Sequence, residues 1–367
     1  MDLDALSALR AEFKRRGWHQ KATLRVVIEL AFHLCVSLSG IALFLVADNL
    51  ALRILGLIVS TIGTVGVTTN THTATHNAAS KSRLINELLA HFGYPFFVSL
   101  GLTYWRHQHV SIHHPNPNVM GADDDADFSP FFASTDREVT SSQGRFRKWL
   151  RYQWITFPML VWVHSYIRQI KSWNHVITML RDPERRRLAH LTDLLAMCLH
   201  IVVWFVIPSF FFPWTHVVLF NLIRIGLLGY PLFIVLAPGH YPAAAPVIAK
   251  GDWQKDFVFM QTATTLNFRT GRLGGLVCSG LQYQIEHHLF PGYCHVYYRE
   301  MSEHVREFCK QNGYPYQTLG WGEALFETFR IFYRPKHVAA DVAELRAALY
   351  KPPPMTTVQL LDSSQPS

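Results

Sequence analysis

The stretch "LALRILGLIVSTIGTVGVTTNTHTATH", residues 50–76, joins an apolar segment directly to two histidines, His72 and His76. Its apolar part, residues 50–69, has the length of roughly 20 residues that a helix needs to cross a bilayer. The two histidines stand four residues apart, so on a helix they share one face and can hold one ion or two neighbouring ions. This stretch therefore predicts a membrane span that ends in a metal-binding motif.

Three other segments of similar length and apolarity predict three more spans. Together with the first they make two hairpins, whose short turns "ADNLALR" and "FFFPWTH" hold little positive charge. Lys and Arg are dense instead in the N-terminal segment and in residues 81–187, so the positive-inside rule places both termini and this middle segment in the cytoplasm. The membrane is then either a bacterial inner membrane or the endoplasmic reticulum. The predicted spans are residues 26–46, 50–69, 191–212 and 214–237.

A fifth apolar stretch, "HFGYPFFVSLGLTYW" at residues 91–105, is too short for a span and contains Gly and Pro. We expect it to lie at the interface, or to dip into the membrane and return on the same side. In the fourth span, Asn221 and Arg224 should face protein or a cavity, because a charge at membrane depth is costly.

These patterns predict an all-α integral membrane protein. It has four transmembrane helices in two hairpins, an interfacial or re-entrant segment, and a cytosolic helical cap that holds a di-metal site. Residues 1–24 are expected to form a cytosolic, amphipathic and basic segment that lies on the membrane. Residues 25–350 form the membrane domain, and residues 351–367 are expected to be a disordered tail.

Composition narrows the functional classes. The formal net charge of +8 would suggest nucleic-acid binding in a soluble protein, but the basic residues here lie beside apolar segments. They are better explained by the cytoplasm and by anionic lipid head groups, so no nucleic-acid partner is expected. The five cysteines form no CxxC pair, which argues against a zinc or iron-sulfur site, whereas histidine occurs 20 times.

Four groups of histidines follow the predicted cytoplasmic membrane exits: "HTATH", "HVSIHH", "APGHYP" and "QIEHH". A single HxxxH motif is usually a chance pair, but four groups on one membrane face indicate a shared site. On an α-helix His114 points about a hundred degrees away from His109 and His113, so this box can address two metals. Eight imidazoles exceed what one ion can take, and iron, copper and zinc all accept imidazole. The candidate ligands are His72, His76, His109, His113, His114, His240, His287 and His288.

With these boxes the chain resembles the integral-membrane fatty acid desaturases, whose three histidine boxes occur in this order between two hairpins. The resemblance covers about residues 25–330, and His240 is similar to an additional ligand of that family. It implies two non-haem iron ions and the dioxygen-dependent insertion of a cis double bond into a fatty acyl chain. The acyl group would be attached to a lipid, to coenzyme A or to a carrier protein, and the sequence does not distinguish these three carriers.

The third box opens with Gln284, and this QxxHH form, like the preceding "QTATTLNF", is similar to the front-end branch of the family. Front-end enzymes place the new double bond between an existing one and the carboxyl end. Many of them carry a fused cytochrome with an HPGG motif, which this sequence lacks. A separate electron donor, such as a ferredoxin or a small b-type cytochrome, is therefore expected.

Further residues are expected around the metals and the substrate. Gln284 and Asn267 are candidates for weak or outer ligands, and Glu286, Asp123 and Asp127 for acceptors of the second imidazole nitrogens. His107 is either in this outer layer or exposed. Aromatic residues of the interfacial stretch either line an acyl channel or anchor it at the interface. They are Tyr94, Phe96, Tyr104 and Trp105.

Two alternatives remain open. A hydroxylase, acetylenase or epoxygenase would keep the same scaffold and differ in its product. A metal-binding membrane transporter would place polar ligands inside the spans, whereas the histidines here lie at their cytoplasmic ends.

Overall fold

The computed structural model describes residues 2–123, 125, 128, 131–250 and 257–350. Within them, four helices are long and apolar enough to cross a membrane, and they coincide with the four predicted spans. The fold is mostly helical, as predicted. The spans are Thr23–Val46, Leu50–Thr75, Leu188–Ser209 and Trp214–Gly239.

The first two spans, α2 (Thr23–Val46) and α3 (Leu50–Thr75), pack closely as an antiparallel hairpin. Small residues make this approach possible: a Cβ on Gly40 would lie 2.2 Å from the backbone nitrogen of Ser60, and one on Gly63 would lie 2.3 Å from that of Ser37. Close backbone contact between helices is the usual role of small residues in membranes. The hairpin therefore fixes where the end of α3 lies relative to the rest of the protein.

The third span begins with α9 (Leu188–Ile201) and continues through a π-helical segment, Val202–Val206, into α10 (Ile207–Ser209). The fourth is α11 (Trp214–Leu236), which ends in the 3₁₀ turn Ala237–Gly239. Arg224 is buried, as predicted, with its guanidinium 3.9 Å from the ring centre of Trp204. Its Nε donates to Asn221 Oδ1 at 3.3 Å. The charge at membrane depth thus lies against protein groups.

The fifth apolar stretch turns back on itself. It leaves α4 (Arg83–His91) through a π-helical turn, Phe92–Phe96, and comes back at α5 (Leu102–Trp105). Both ends meet at one carboxylate, because His91 Nε2 lies 3.4 Å from Asp193 Oδ1 and the backbone N–H of Leu102 donates to that oxygen at 3.0 Å. The two ends of the stretch therefore lie side by side, an arrangement compatible with both the interfacial and the re-entrant prediction.

The remaining elements form the cap and its connection to the membrane helices. Two small parallel sheets, with strand orders β1-β2-β5 and β3-β4, lie among the cap helices. The all-α prediction missed them because strands of two or three residues show no measurable alternation. The helices are α1 (Asp2–Arg15), α6 (Asp136–Ser141), α7 (Gly144–Leu150), α8 (Gln153–Arg181), α12 (Phe257–Ala263), α13 (Arg272–Cys278), α14 (Gln284–Leu289), α15 (Tyr298–Asn312), α16 (Trp321–Arg330) and α17 (Val342–Tyr350). The strands are β1 (Val119–Met120), β2 (Val247–Ala249), β3 (Asn267–Arg269), β4 (Thr318–Gly320) and β5 (Val338–Ala339).

The N-terminal helix α1 is amphipathic, as predicted, but its apolar side does not lie free for a membrane. Leu6, Leu9 and Phe13 are buried in the largest core cluster of the cap, together with residues of α12, α14 and α15. The sequence could not distinguish the two cases, because a protein core and a lipid surface select the same apolar stripe. The predicted disordered tail, residues 351–367, lies outside the described residues.

The close packing of the first hairpin predicts that Gly40→Ala destabilises the protein. The new Cβ would overlap the backbone of Ser60, which should cost about 1–3 kcal/mol by overpacking. Thermal unfolding in detergent micelles, followed by the loss of monodisperse protein, measures the effect. Gly322→Ala is the matched control, because a Cβ there has no atom within 4 Å. Equal melting temperatures for the two variants would contradict the predicted close contact.

Candidate metal centre

The helix α3 continues beyond the predicted span end and carries the first histidine box. His72 lies in its last turn and His76 occupies its C-terminal cap position. His72 Nε2 lies 3.1 Å from His287 Nε2, and the ring centres of His72 and His109 are 4.7 Å apart. One ring nitrogen from each residue lies within 4.8 Å of the others. We call this group, His72, His76, His109 and His287, the first cluster.

A second cluster lies beside it and consists of His113, His240 and His288. Its ring centres are 4.6 Å apart for His113 and His240 and 5.0 Å apart for His240 and His288. His240 directly follows the turn that ends the fourth span. A Cβ on Gly239 would lie 2.3 Å from Gln284 Cγ, so the glycine allows α14 to approach this turn.

The second box has a different geometry from the α-helix expected. Residues Arg106–His113 form a π-helical segment, in which the backbone N–H of His114 donates to the carbonyl of His109. The wider turn brings His114 back towards His109, with their Nε2 atoms 3.2 Å apart, rather than away from it. The ring of His114 also lies 4.6 Å from that of His287 and 4.4 Å from that of His288. His114 therefore stands between the two clusters.

Acceptors on neighbouring segments fix the ring nitrogens that face away from the clusters. His113 Nδ1 donates to Asp123 Oδ2 at 3.0 Å, as the sequence suggested for this aspartate. His288 Nδ1 donates to Gln261 Oε1 at 2.8 Å, while Gln261 Nε2 donates to the carbonyl of His114. Both bonds put the ring proton on Nδ1 and leave Nε2 as a lone pair. The sequence analysis missed Gln261 as an acceptor, although it lies in the "QTATTLNF" stretch.

Two tyrosines lie against the first cluster. The Tyr94 hydroxyl is 3.2 Å from His72 Nδ1, and the Tyr298 hydroxyl is 3.4 Å from His287 Nδ1. Tyr94 was predicted to line an acyl channel, and its hydroxyl instead supports a histidine. Phe96, predicted for the same wall, packs against Phe92 with ring centres 5.5 Å apart.

The chemistry of the histidines suits bound metal ions. Burial, together with neighbouring Arg106 and His113, lowers the pKa of His76 to about 3. Burial also holds the pKa values of His109, His114, His240, His287 and His288 well below the usual range. Burial likewise opposes a charge on His113, but Asp123 outweighs it and raises that pKa. Buried nitrogens of His76, His114, His240 and His288 have no hydrogen-bond partner among the described residues. Neutral imidazoles with unshared lone pairs in two adjacent groups are a donor set for two metal ions.

Glu286 and Asn267 support the third box without touching its rings. The Glu286 carboxylate accepts from Asn267 Nδ2 and from the Tyr316 hydroxyl, each at 2.8 Å. Asn267 Oδ1 in turn accepts the backbone N–H of Ile285 at 3.0 Å. Burial raises the pKa of Glu286 to about 7. The expectation that Glu286 binds an imidazole nitrogen is therefore wrong: it holds the start of α14, the helix that carries His287.

The other predicted residues of the outer layer are placed as follows. Gln284 packs against Gly239 and hydrogen-bonds to His240. His107 is exposed and stacks on His175, with ring centres 6.0 Å apart. Asp127 lies outside the described residues.

The helix that carries the second box is capped by residues of two other helices. Asp193, fully buried on α9, accepts from the backbone N–H groups of Leu102 and Thr103 and from the Thr103 hydroxyl. Ser172 on α8 accepts from the N–H of Gly101 at 2.7 Å. The first N–H groups of a helix have no partner within it, and a carboxylate there also suits the helix dipole. Asp193 thus sets the start of the segment that ends with His113 and His114.

An apolar cavity opens onto both clusters. Its walls include His109, His113, His240 and His287, and also Tyr104 and Trp105, two of the candidate channel residues. A large part of the wall comes from α8 and α11, which were not predicted to line it. On α8 the lining residues recur with helical spacing, and this pattern is the signal that could have found them. From these two helices the apolar lining residues are Phe157, Leu160, Val161, Leu228, Leu232, Phe233 and Leu236.

The chain matches the model of one protein family over most of its length. The family model described as fatty acid desaturase matches residues 48–320. The chain is 27% identical to the Delta(5) fatty acid desaturase fat-4 of Caenorhabditis elegans, over 74% of this chain and 61% of the relative. It is 26% identical to a Delta(8)-fatty-acid desaturase of Euglena gracilis, over 67% of this chain and 59% of the relative. It is also 26% identical to the sn-1 linoleoyl-lipid 6-desaturase of Synechocystis, over 72% of this chain and 75% of the relative. The chain spans about three fifths of the length of the first two relatives.

The support of His288 by Gln261 predicts that Gln261→Met lowers metal affinity by about 10–100-fold, because the ring loses the acceptor that fixes its proton. Iron per protein, measured by mass spectrometry after dialysis against a graded chelator, reports the change. Gln311→Met, at an exposed position of α15, is the control. Unchanged iron retention in Gln261→Met would show that this hydrogen bond does not orient a metal ligand.

Because Asp193 caps α5, we expect Asp193→Ala to loosen the segment that carries the second histidine box. Each backbone N–H left buried without a partner should cost about 1–3 kcal/mol, so both thermal stability and iron content are expected to fall. Asp193→Asn keeps an acceptor oxygen and should recover part of the loss, whereas Asp48→Ala, at an exposed site, should change neither quantity. Full iron content in Asp193→Ala would rule out a positioning role.

Proposed function

Since the chain belongs to the fatty acid desaturase family, we propose that it is an oxidoreductase that inserts a cis double bond into a fatty acyl chain with dioxygen and external electrons. The observation that carries the proposal is the pair of adjacent, buried histidine clusters on the wall of an apolar cavity. The clusters suit two metal ions, and the cavity suits a chain of methylene groups. Their shared wall places the reactive centre and the substrate side by side.

The cofactor that we propose is a pair of non-haem iron ions. The first cluster would hold one ion and the second cluster the other, with His114 between them. When bound, the ions supply the reduction of dioxygen and the removal of hydrogen from an unactivated methylene group. Imidazole ligands bring no negative charge, so the ions stay strongly electrophilic.

The protein's own groups prepare this site in three ways. Asp123 and Gln261 hold the protons of His113 and His288 on Nδ1, which leaves the Nε2 lone pairs for metal. The apolar walls of α8 and α11 keep water from the acyl chain. The Asp193 carboxylate accepts hydrogen bonds from the backbone N–H groups at the start of α5, and so fixes the start of the segment that carries the second box.

Front-end regiochemistry is supported by two independent features. The third box begins with Gln284 in the QxxHH form. The relatives reported above are named as Delta(5), Delta(8) and 6-desaturases, so their printed activities all lie near the carboxyl end. We infer that this chain also forms its double bond on the carboxyl side of an existing one.

The partners follow from the same reasoning. The substrate is a fatty acyl group on a lipid, coenzyme A or a carrier protein. The electron donor that we propose is a separate ferredoxin or small b-type cytochrome. The Lys and Arg residues of the N-terminal segment and of residues 81–187 support a site on the cytoplasmic face of the membrane.

Expression of the chain in cells fed unsaturated fatty acids should yield a new double bond on the carboxyl side of the existing one. Gas chromatography with mass spectrometry measures the product and its double-bond position. The double variant His287→Ala, His288→Ala should reduce the product to background, because it removes one imidazole from each cluster. His107→Ala is the matched control, since this histidine is exposed and stacks on His175 away from the clusters.

Other outcomes would replace the proposal. An oxygenated product without a double bond would assign the chain as a hydroxylase or epoxygenase, and a triple bond as an acetylenase. Metal uptake into vesicles, with no modified fatty acid, would assign it as a transporter.

A further inference from the structure

A second cavity lies behind the loop that follows the second box. Its volume is about 190 Å³, and we call it the polar cavity. The apolar cavity has polar residues only on part of its largely apolar wall, whereas polar side chains make up about half of the lining of this second cavity. Its polar lining residues are Asn118, Asp123, Ser134, Thr135, Glu138 and Lys336.

Two buried groups in this wall have hydrogen-bonding capacity that the protein leaves unused. Asn118 is fully buried; its Nδ2 donates to the carbonyls of His240 and Thr264, but its Oδ1 has no partner among the described residues. Lys336 Nζ donates to the carbonyls of Ala245 and His240, at 2.9 Å and 3.4 Å, although an ammonium group carries three N–H bonds. Buried polar groups of this kind are normally satisfied by ordered water, and the cavity has room for it.

The polar cavity and the apolar cavity share a wall. Asp123 and Tyr241 line both of them. In this wall Asp123 Oδ2 accepts from His113 Nδ1, and the Tyr241 hydroxyl donates to the carbonyl of Asp125. Water in the polar cavity therefore stands one side chain away from the second cluster, on the opposite side from the acyl walls of α8 and α11.

The reaction of the proposed function needs such a route. Each turnover converts one –CH2–CH2– unit and one dioxygen, with two electrons and two protons, into –CH=CH– and two waters. The electrons come from the external donor. The protons must enter and the waters must leave while an acyl chain fills the apolar cavity, and the methylene groups of that chain solvate neither of them.

We propose that the polar cavity is the water channel of the metal centre, which brings protons to the Asp123–Tyr241 wall and removes the water formed. The inference rests on the proposed function for its role in turnover. The presence of water in the cavity does not depend on that function. Water molecules, rather than a side chain that changes its charge, carry the protons along the cavity.

The first test asks whether water reaches the cavity. Ser134→Cys places a thiol in its wall, and a small charged methanethiosulfonate should label this thiol in the full-length protein in lipid nanodiscs. Val161→Cys, on the wall of the apolar cavity, should label about tenfold more slowly, because a charged reagent does not enter an apolar space. The parent chain gives the background of its five native cysteines. Adding Met120→Trp, a bulky residue in the lining of the polar cavity, should slow labelling of Cys at position 134 by a similar factor.

The second test asks whether this water serves turnover. Ser134→Phe and, separately, Val247→Phe fill the polar cavity from two different segments. Each should lower kcat by about tenfold, while KM, double-bond position and iron content stay unchanged, because neither the acyl wall nor a ligand is altered. Met159→Trp, at an exposed position on α8, is the size-matched control.

The outcomes separate the parts of the inference. Labelling of Cys at position 134 no faster than that of Cys at position 161 would overturn the water-filled cavity. Normal kcat in both filled variants, with labelling blocked, would overturn its role in turnover. If the parent chain forms no double bond, the proposed function is wrong. The labelling result then still tests, independently, whether water fills the polar cavity.

Discussion

The structure depends on bringing eight histidine side chains together at one largely buried place beside the membrane. Burial keeps most of these rings uncharged, so their lone pairs are available to metal ions rather than to protons. The same burial makes every unpaired ring nitrogen costly unless a metal or a hydrogen-bond donor satisfies it. The histidines are therefore held from many directions, and much of the cap serves this purpose.

Each box is fixed by a different device. The first extends a membrane helix, whose position is set by backbone contact at Gly40 and Gly63. The second is a π-helical segment, and its starting helix is capped from a distance by Asp193. The third lies on the short helix α14, whose start is held by Asn267 and Glu286. Three independent supports allow the rings of distant segments to meet within hydrogen-bonding distance of one another.

The two cavities beside the histidine clusters differ in the polarity of their walls. One has mainly aliphatic and aromatic walls, many of them from α8 and α11, and the other has a larger share of hydroxyl, amide and charged groups from the cap. Asp123 belongs to both, and it also orients His113. In the proposed function an acyl chain would reach the histidines from the apolar cavity, and water would reach them from the polar cavity.

The sequence by itself determined the four spans and the eight clustered histidines, because span length and HxxxH spacing are local properties that a single segment displays. It also determined that Arg224 must be buried against protein, since lipid would not tolerate it. Tertiary structure alone decided the partners. Asp193 is 90 residues from the N–H of Thr103, and Gln261 is 27 residues from His288, so no local pattern reveals either contact. The π-helical turn of the second box, the burial of α1 in the cap and the role of Glu286 were likewise decided there. Each of these depends on which surface a segment packs against. That surface is formed by segments distant in sequence, so only the folded structure determines it.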